Sequence, residues 1–272
     1  MPLSELGLPA DRTVVMGILN VTPDSFADGG RYSNFGSAEA RALEMLKEGV
    51  DIIDVGGEST RPGSTRISEE EEIERILPVI QALSARGVLI SVDTTRASTA
   101  QAAIGAGAKI INDISAGLSD PAMLDLVASL DCPYIAMHSR GDSKDMQSRA
   151  IYKDVVKEVV DELSQRVGAV LAAGVKPENL VLDPGIGFAK EAEQNWLLLN
   201  NLESIEALGF PVLVGASRKR FLGLLVGSDL PDDRESATIA LTTLLARRGT
   251  WGVRVHNGKS HRDAIAVAGR MR

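Results

Sequence analysis

Eight short apolar runs, each followed by a stretch with helical character, predict an α/β chain folded as one (β/α)8 TIM barrel. Two further observations favour the closed barrel over an open doubly wound sheet. The chain has 272 residues, a length at which such barrels commonly form a single domain. Its 26 glycines and 11 prolines punctuate the whole length instead of gathering in one linker. Residues 1–272 are therefore read as one barrel domain with long loops after strands 1 and 2.

The runs occupy 13–19, 52–55, 88–92, 109–111, 133–137, 180–182, 212–214 and 251–255. They are short, carry Val and Ile, and alternate little, the pattern of strands buried on both faces. Helical segments are expected at 37–48, 68–85 and 151–173, among others. The second opens with Ser68 as N-cap, Glu71 three residues on, and acidic residues in its first turn. Pro78 within it predicts a kink or a boundary.

Composition bounds the function. Hydrophobic residues make up 44% and charged residues 24%, which excludes a disordered chain. The net charge of −8 argues against general nucleic-acid binding, so an anionic ligand needs a local cluster of positive charge. The longest uncharged run, 97–108, is far short of the ~20 apolar residues of a membrane span. The first residues lack a basic start followed by an apolar stretch, so no signal peptide is expected and a soluble cytoplasmic enzyme is the default. The single cysteine, Cys132, reads as a small buried hydrophobe, and Trp196 and Trp251 as packing residues.

The chemistry lies where the runs end. Asn20, Asp93, Asn112, His138, Asp183, Ser217 and the pair Arg254/His256 all sit at or just past the C-terminal end of a run. In a barrel those ends converge on the face that carries the active site. One polar residue after a strand is turn chemistry; a whole ring of them is a site.

Two long connections flank that face. Asn20 opens NVTPDSFADGG, a loop reaching to about Gly36, and GGESTRPGSTR over 56–66 adds Arg61, Arg66 and four hydroxyls. Long loops in compact barrels are commonly lids or binding loops, and arginine offers planar donors suited to phosphate. GASRKRF, 215–221, places three basic residues between a strand and a helix N-terminus, which suits an anion or an electron-rich ring. VRVHNGKS fails as a phosphate loop of the Walker type, because Val253 stands where glycine is required. It remains a candidate phosphate contact, since loops after strands 7 and 8 of barrels often serve that purpose. His138, His256 and His261 lack zinc-ligand spacing, whereas a Mg2+ held mainly by substrate phosphates leaves little trace in sequence.

Seven stretches taken in order resemble dihydropteroate synthases, the folate-pathway enzymes targeted by sulfonamides. They are MGILNVTPDSFADGG, DIIDVGGESTRPGS, ISVDTTRA, IINDISAG, LVLDPGIGFAK, VLVGASRKRFLG and WGVRVH, and they span 16–256. The resemblance implies a barrel, usually a homodimer. It implies small-molecule substrates, 6-hydroxymethyl-7,8-dihydropterin diphosphate and 4-aminobenzoate, which are condensed to 7,8-dihydropteroate and pyrophosphate. No nucleic-acid or membrane partner is expected.

Residue by residue, the resemblance puts Asp93, Asn112 and Asp183 on the pterin, with Met137 among the substrate contacts. Lys219 is expected at the pterin and near the aminobenzoate. Asn20, Arg61, Arg254 and His256 are expected at the diphosphate, with Asn20 also a Mg2+ ligand. Phe26, Thr60, Pro62, Phe188 and Ser217 match positions around the aminobenzoate, and Asp28 belongs to the loop that closes over the reacting centre. The implied mechanism is dissociative: pyrophosphate leaves as its charge is neutralised by Mg2+, arginines and a histidine, and the arylamine attacks the exocyclic methylene. Truncating Arg254 is then expected to weaken diphosphate binding and spare free pterin.

The chain departs from the family at Asn257, often Asp, at Ala27, often Ser, and over most of 138–147. The first leaves open what orients His256. A pterin-binding methyltransferase is the nearest rival, and the combination of Asn20, Arg61-Pro62 and the SRK segment argues against it. A non-catalytic pterin binder is opposed by the intact Arg61, Lys219, Arg254 and His256.

Overall fold

In the computed structural model, residues 2–22, 31–59, 66–141 and 146–271 are described, excepting the side chains of 31–34 and of 147. Eight parallel strands form one sheet: β1 Val14–Asn20, β2 Ile52–Gly56, β3 Ile90–Asp93, β4 Ile110–Asp113, β5 Tyr134–Met137, β6 Leu180–Asp183, β7 Leu213–Val214 and β8 Gly252–Val255. Their order is β6-β5-β4-β3-β2-β1-β8-β7. A bridge between Leu182 and Val212, with the Leu182 N–H donating to the Pro211 carbonyl at 2.9 Å, joins β6 to β7 and closes the barrel. The helices are α1 Arg31–Lys47, α2 Glu69–Ser84, α3 Ala97–Gly105, α4 Met123–Leu130, α5 Val155–Ala172, α6 Ala192–Asn200, α7 Leu202–Glu206, α8 Arg220–Val226, α9 Glu235–Arg248 and α10 Gly258–Arg270.

Alternation along each strand separates two cores. Outward side chains such as Val15, Ile53, Val92, Ile111, Tyr134 and Leu182 pack under the helices in one large cluster. Inward side chains Val14, Met16, Ile52, Ile110, Ile135, Val181 and Leu213 fill the lower barrel in a second, smaller cluster. Leu3, Leu6, Leu8 and Trp251 pack against that inner cluster. On β2, β4 and β6 the next inward position, two residues further along, is polar: Asp54 follows Ile52, Asn112 follows Ile110, and Asp183 follows Val181. On these three strands apolar packing thus gives way to polar side chains one layer below the mouth.

The predicted elements recur with shifted ends. Ser68 caps α2 by accepting from the Glu71 N–H at 3.2 Å, but the Glu71 carboxylate turns to Arg75 instead of completing a reciprocal box. Pro78 ends nothing: α2 runs through it to Ser84, with Pro78 on the exposed side. α5 starts later than expected, at Val155, because Asp154 caps it by accepting from the Lys157 N–H at 3.1 Å. Trp196 packs edge-on against Phe221 at 4.9 Å, which agrees with its reading as a packing residue.

Asp113, one residue past the site-facing Asn112, shows how a strand end is fixed. Its carboxylate accepts from the Ser115 N–H at 2.8 Å, the Ser115 hydroxyl at 2.7 Å, the Gly117 N–H at 2.7 Å and the Tyr134 hydroxyl at 2.8 Å. The turn after β4 is therefore wound around one buried anion. Tyr134→Phe removes the bond between β4 and β5 and is expected to lower stability by about 2 kcal/mol, the scale of a hydrogen bond to a charged group. Urea unfolding measures this, and an unchanged midpoint contradicts it.

Candidate active site at the barrel mouth

The strand register builds the site before any side chain is considered. Asn20 pairs with Gly56, Gly56 with Asp93, and Asp93 with Asn112, so these positions follow one another around the rim. On the other side Met137 pairs with Asp183. Gly56 lies between Asn20 and Asp93, its Cβ position 3.5 Å from the Asp93 Cβ and 3.6 Å from Asn20 Oδ1.

Arg254, rising from β8, forms the centre. Its Nε donates to Asp54 Oδ2 at 2.6 Å and its Nη2 to Asp93 Oδ2 at 2.6 Å. The Asn112 amide Nδ2 donates to the same Asp54 oxygen at 3.0 Å. One guanidinium therefore spans two buried carboxylates, and one of these fixes which way the Asn112 amide faces. Burial pushes the Asp93 carboxyl up to about 7, with the Arg254 charge opposing it. Asp54 is fully buried, and its Oδ1 has no hydrogen-bond partner among the described residues.

Asp183 stands opposite at the end of β6. Its Oδ1 accepts from the Gly185 N–H at 2.7 Å, and burial raises its carboxyl while Lys219 opposes the shift. Lys219 occupies the N-cap position of α8, donates to the Ile186 carbonyl, and lies 4.4 Å from the Phe188 ring centre. Burial brings its ammonium down to about 7, with Asp183 opposing. Gly187 is required here: at φ +81° a Cβ would sit 2.7 Å from Lys219 Cδ. Gly215 lies between Asp183 and Arg254, its Cβ position 3.6 Å from Asp183 Oδ2 and 3.8 Å from Arg254 Cβ.

His256 is oriented by Ser217. The Ser217 hydroxyl lies 3.0 Å from His256 Nδ1 and accepts from the His256 backbone N–H at 3.3 Å. With that hydroxyl proton given to Nδ1, the ring proton belongs on Nε2. The Asn257 side chain turns away to cap α10, accepting from the Ser260 N–H at 3.3 Å. The first N–H of that helix, Gly258, is taken by Glu48 at 2.7 Å, so the GKS segment offers its helix end to a carboxylate already in place.

The structure brings together Asp93, Asn112, Asp183, Lys219 and Arg254, with Met137, Phe188, Ser217 and His256 around them. The expected positions Phe26, Asp28, Thr60, Arg61 and Pro62 lie outside the described residues. The basic triplet does not act as a unit. Only Lys219 turns into the mouth; Arg218 pairs with Glu235 at 2.7 Å and Asp232 at 2.5 Å, and Arg220 is exposed. The split follows the backbone and the partners: Arg218 is left-handed at φ +57° and held by Asp232 and Glu235, Lys219 is an extended N-cap, and Arg220 opens α8. A cleft leads outward from Asp93 and Phe188, lined also by Arg66, Thr94, Ser115 and Ser139.

Asp54 escaped the sequence reading although its signal was present: a carboxylate inside the run IIDV, where a buried strand has no ordinary use for charge. Cys132 is buried and its thiol is pushed up to about 11, which leaves it inert. His261 is fully buried, bonded to Thr242 at 2.8 Å and Glu235 at 3.2 Å, and ties α10 to α9. The described residues contain no group of three or more His, Cys, Asp or Glu that could hold a metal alone. The Asn20 amide at the rim makes no hydrogen bond to any described residue. A single free amide oxygen suits Mg2+ only if other oxygens, such as phosphate, complete the shell.

The chain matches the family described as pterin binding enzyme over residues 16–256. It is 50% identical over 261 residues to the dihydropteroate synthase of Mycobacterium leprae (strain TN), covering 94% of this chain and 92% of that protein. Among solved structures it superposes on Xanthomonas albilineans dihydropteroate synthase with 4-aminobenzoic acid at a TM-score of 0.91, with 44% identity, covering 96% of this chain and 93% of that one. The same bacterium's enzyme in complex with 7,8-dihydropteroate gives a TM-score of 0.88 and 40% identity over 97% of this chain and 95% of that one.

Asp54→Asn keeps the size of the side chain but removes the charge shared by Arg254 and Asn112. We expect it to weaken the affinity for a pterin ligand roughly tenfold, the scale of one charge-assisted hydrogen bond. Fluorescence titration measures this, and unchanged affinity would show that Asp54 plays no part in holding the site.

Proposed function

Given that the chain belongs to the dihydropteroate synthases of the pterin-binding family, we propose how its mouth condenses 6-hydroxymethyl-7,8-dihydropterin diphosphate with 4-aminobenzoate. The observation that carries this reading is the ring of acceptors, Asp93, Asn112 and Asp183, set around Arg254 and Lys219. A pterin presents adjacent N–H donors on one edge, and an ionised carboxylate accepts two at once. Because Asp54 takes one Nδ2–H of Asn112, that amide has Oδ1 and one N–H left for the ring. Analogues lacking the matching donors leave buried acceptors unpaired, which costs about 1–3 kcal/mol each.

Arg254 and His256 are suited to the diphosphate. The first is a fixed guanidinium; the second is an imidazole whose Nδ1 edge is set by Ser217. Arg61 is proposed to join them. Asn20 would hold Mg2+ together with diphosphate oxygens, and the ion would neutralise charge on the leaving group. The bond from the exocyclic methylene to the diphosphate oxygen breaks with its electron pair going to pyrophosphate. The electron-rich pterin carries the resulting cation, the neutral arylamine donates its lone pair to the methylene, and the nitrogen then loses a proton. No covalent nucleophile from the chain is needed.

Phe188 and Ser217 flank Lys219 and His256, so the arylamine is proposed to enter on that side, with Phe26, Thr60 and Pro62 completing the wall and Asp28 in the closing loop. Exposed Leu224, Leu225, Val226, Leu230, Leu244 and Val267 on or beside the packed helices α8, α9 and α10 support a homodimer formed through that face. No described helix is long and apolar enough to cross a membrane, and we place the enzyme in the cytoplasm.

The test is pyrophosphate release from the pterin diphosphate with Mg2+, with and without 4-aminobenzoate, while dihydropteroate is followed. Coupled formation of both products is expected; pterin binding with neither product contradicts the reading. The structure also revises the expectation for Arg254→Ala. Removing the guanidinium leaves Asp54 and Asp93 without their shared cation, so free pterin is affected too. Calorimetry is expected to show roughly a hundredfold loss for the diphosphate, from the ~2–5 kcal/mol of a truncated buried charge pair, and a smaller loss for free pterin. Equal losses contradict the assignment of Arg254 to the diphosphate.

A further inference from the structure

Lys190 is a buried basic group that the chemistry above leaves unused; burial brings its ammonium down to about 7, with Asp183 opposing. It lies in the connection from β6 to α6 and is 3% exposed. Its ammonium donates to the Gly185 carbonyl at 3.1 Å, the Phe188 carbonyl at 3.0 Å and His138 Nδ1 at 2.9 Å. All three N–H bonds are thus spent, and none goes to a carboxylate.

The His138 ring continues the chain of bonds. Nε2 lies 2.9 Å from Glu162 Oε2, and Glu162 is gripped in turn by Arg140 Nε at 3.1 Å to both oxygens. With Lys190 charged, its ammonium has no lone pair and the Glu162 carboxylate has no proton, so the ring carries its hydrogen on Nε2 and accepts at Nδ1. Burial holds His138 down to about 4, which keeps it neutral and able to accept. Lys190 therefore pins one end of the turn to itself and the other to the end of β5.

That turn is the one that serves the mouth. It carries Asp183 at its start, the Ile186 carbonyl bonded to Lys219, and Phe188 beside the Lys219 ammonium. The turn lies so close to β5 that a Cβ at Gly185 would fall 1.9 Å from the His138 carbonyl oxygen. Ala189, next to Lys190, adopts φ +49°, a left-handed conformation that a non-glycine residue holds only when its surroundings impose it.

We infer that Lys190 is a positioning residue for the arylamine: its three bonds set Phe188 and the Ile186 carbonyl, and through them the Lys219 ammonium, at the place where 4-aminobenzoate meets the pterin. This rests on the function proposed above. The pterin edge itself is read by Asp93, Asn112 and Asp183, which are fixed by the strand ends; none hydrogen-bonds to Lys190, whose charge reaches Asp183 through space alone. Loss of the clamp should therefore separate the two substrates.

The experiment is steady-state kinetics of Lys190→Met, with pterin affinity measured separately by titration. The expected result is a roughly tenfold or greater rise in KM for 4-aminobenzoate with a fall in kcat, while pterin affinity stays within about threefold. His138→Leu leaves Lys190 in place but removes one acceptor, and should shift the same KM by a smaller factor; it carries the test alone if Lys190→Met does not fold. An unchanged KM, or equal weakening of both substrates, overturns the inference. A wild-type protein that binds pterin without turnover would instead defeat the proposed function, which separates the two failures.

Discussion

The Arg254 guanidinium, held between Asp54 and Asp93 inside a closed barrel, is the interaction on which the mouth depends. A buried ion pair of this kind adds little net stability, because taking each charge out of water costs nearly what the attraction returns. What it supplies is orientation. Asp54 fixes the Asn112 amide, Arg254 fixes the Asp93 carboxylate, and the acceptors needed by a flat nitrogen heterocycle are set before it arrives. Pre-set dipoles cost no reorganisation during the reaction, which is where such sites gain their rate.

This arrangement needs a floor and a frame. The floor is the inner apolar layer of Val14, Met16, Ile52, Ile110, Ile135, Val181 and Leu213, which keeps water from reaching the charges from below. The frame is the strand register, which sets the rim residues beside one another without any loop having to place them. Loops then refine what strands begin: the turn after β6 brings Phe188 and a carbonyl to Lys219, and Ser217 in the turn after β7 orients His256. Asp93 is drawn up to about 7 and Lys219 down to about 7 by the same burial, so acceptor and donor are both poised near neutrality.

Much of this was legible in sequence because short, unalternating apolar runs and the polar residues at their C-terminal ends are local properties. The strand carrying IIND could be read as buried with Asn112 at its end from a few residues alone. Helix ends were less legible: α5 begins at Val155 because Asp154 captures an N–H, and α2 continues through Pro78 where a kink or a boundary was expected. Contacts across the barrel were not legible at all. Asp54 and Arg254 are 200 residues apart, and nothing near either one announces the pair. The split of Arg218, Lys219 and Arg220 among three environments likewise depends on partners in α9 and its approach. Asn257, which left the orientation of His256 open, proves to cap a helix while Ser217 does the orienting.

The most direct test counts the protons exchanged when a pterin binds. Calorimetry with 6-hydroxymethyl-7,8-dihydropterin at about pH 6 to 8, in buffers of different ionisation heat, gives that number. If ligand binding requires Asp93 ionised and Lys219 charged, protons are released below about 7 as Asp93 gives one up. Above about 7 they are taken up as Lys219 gains one, and Asp93→Asn abolishes the release. Binding with no proton exchange anywhere in that range would contradict a mouth whose buried charges are poised for the ligand.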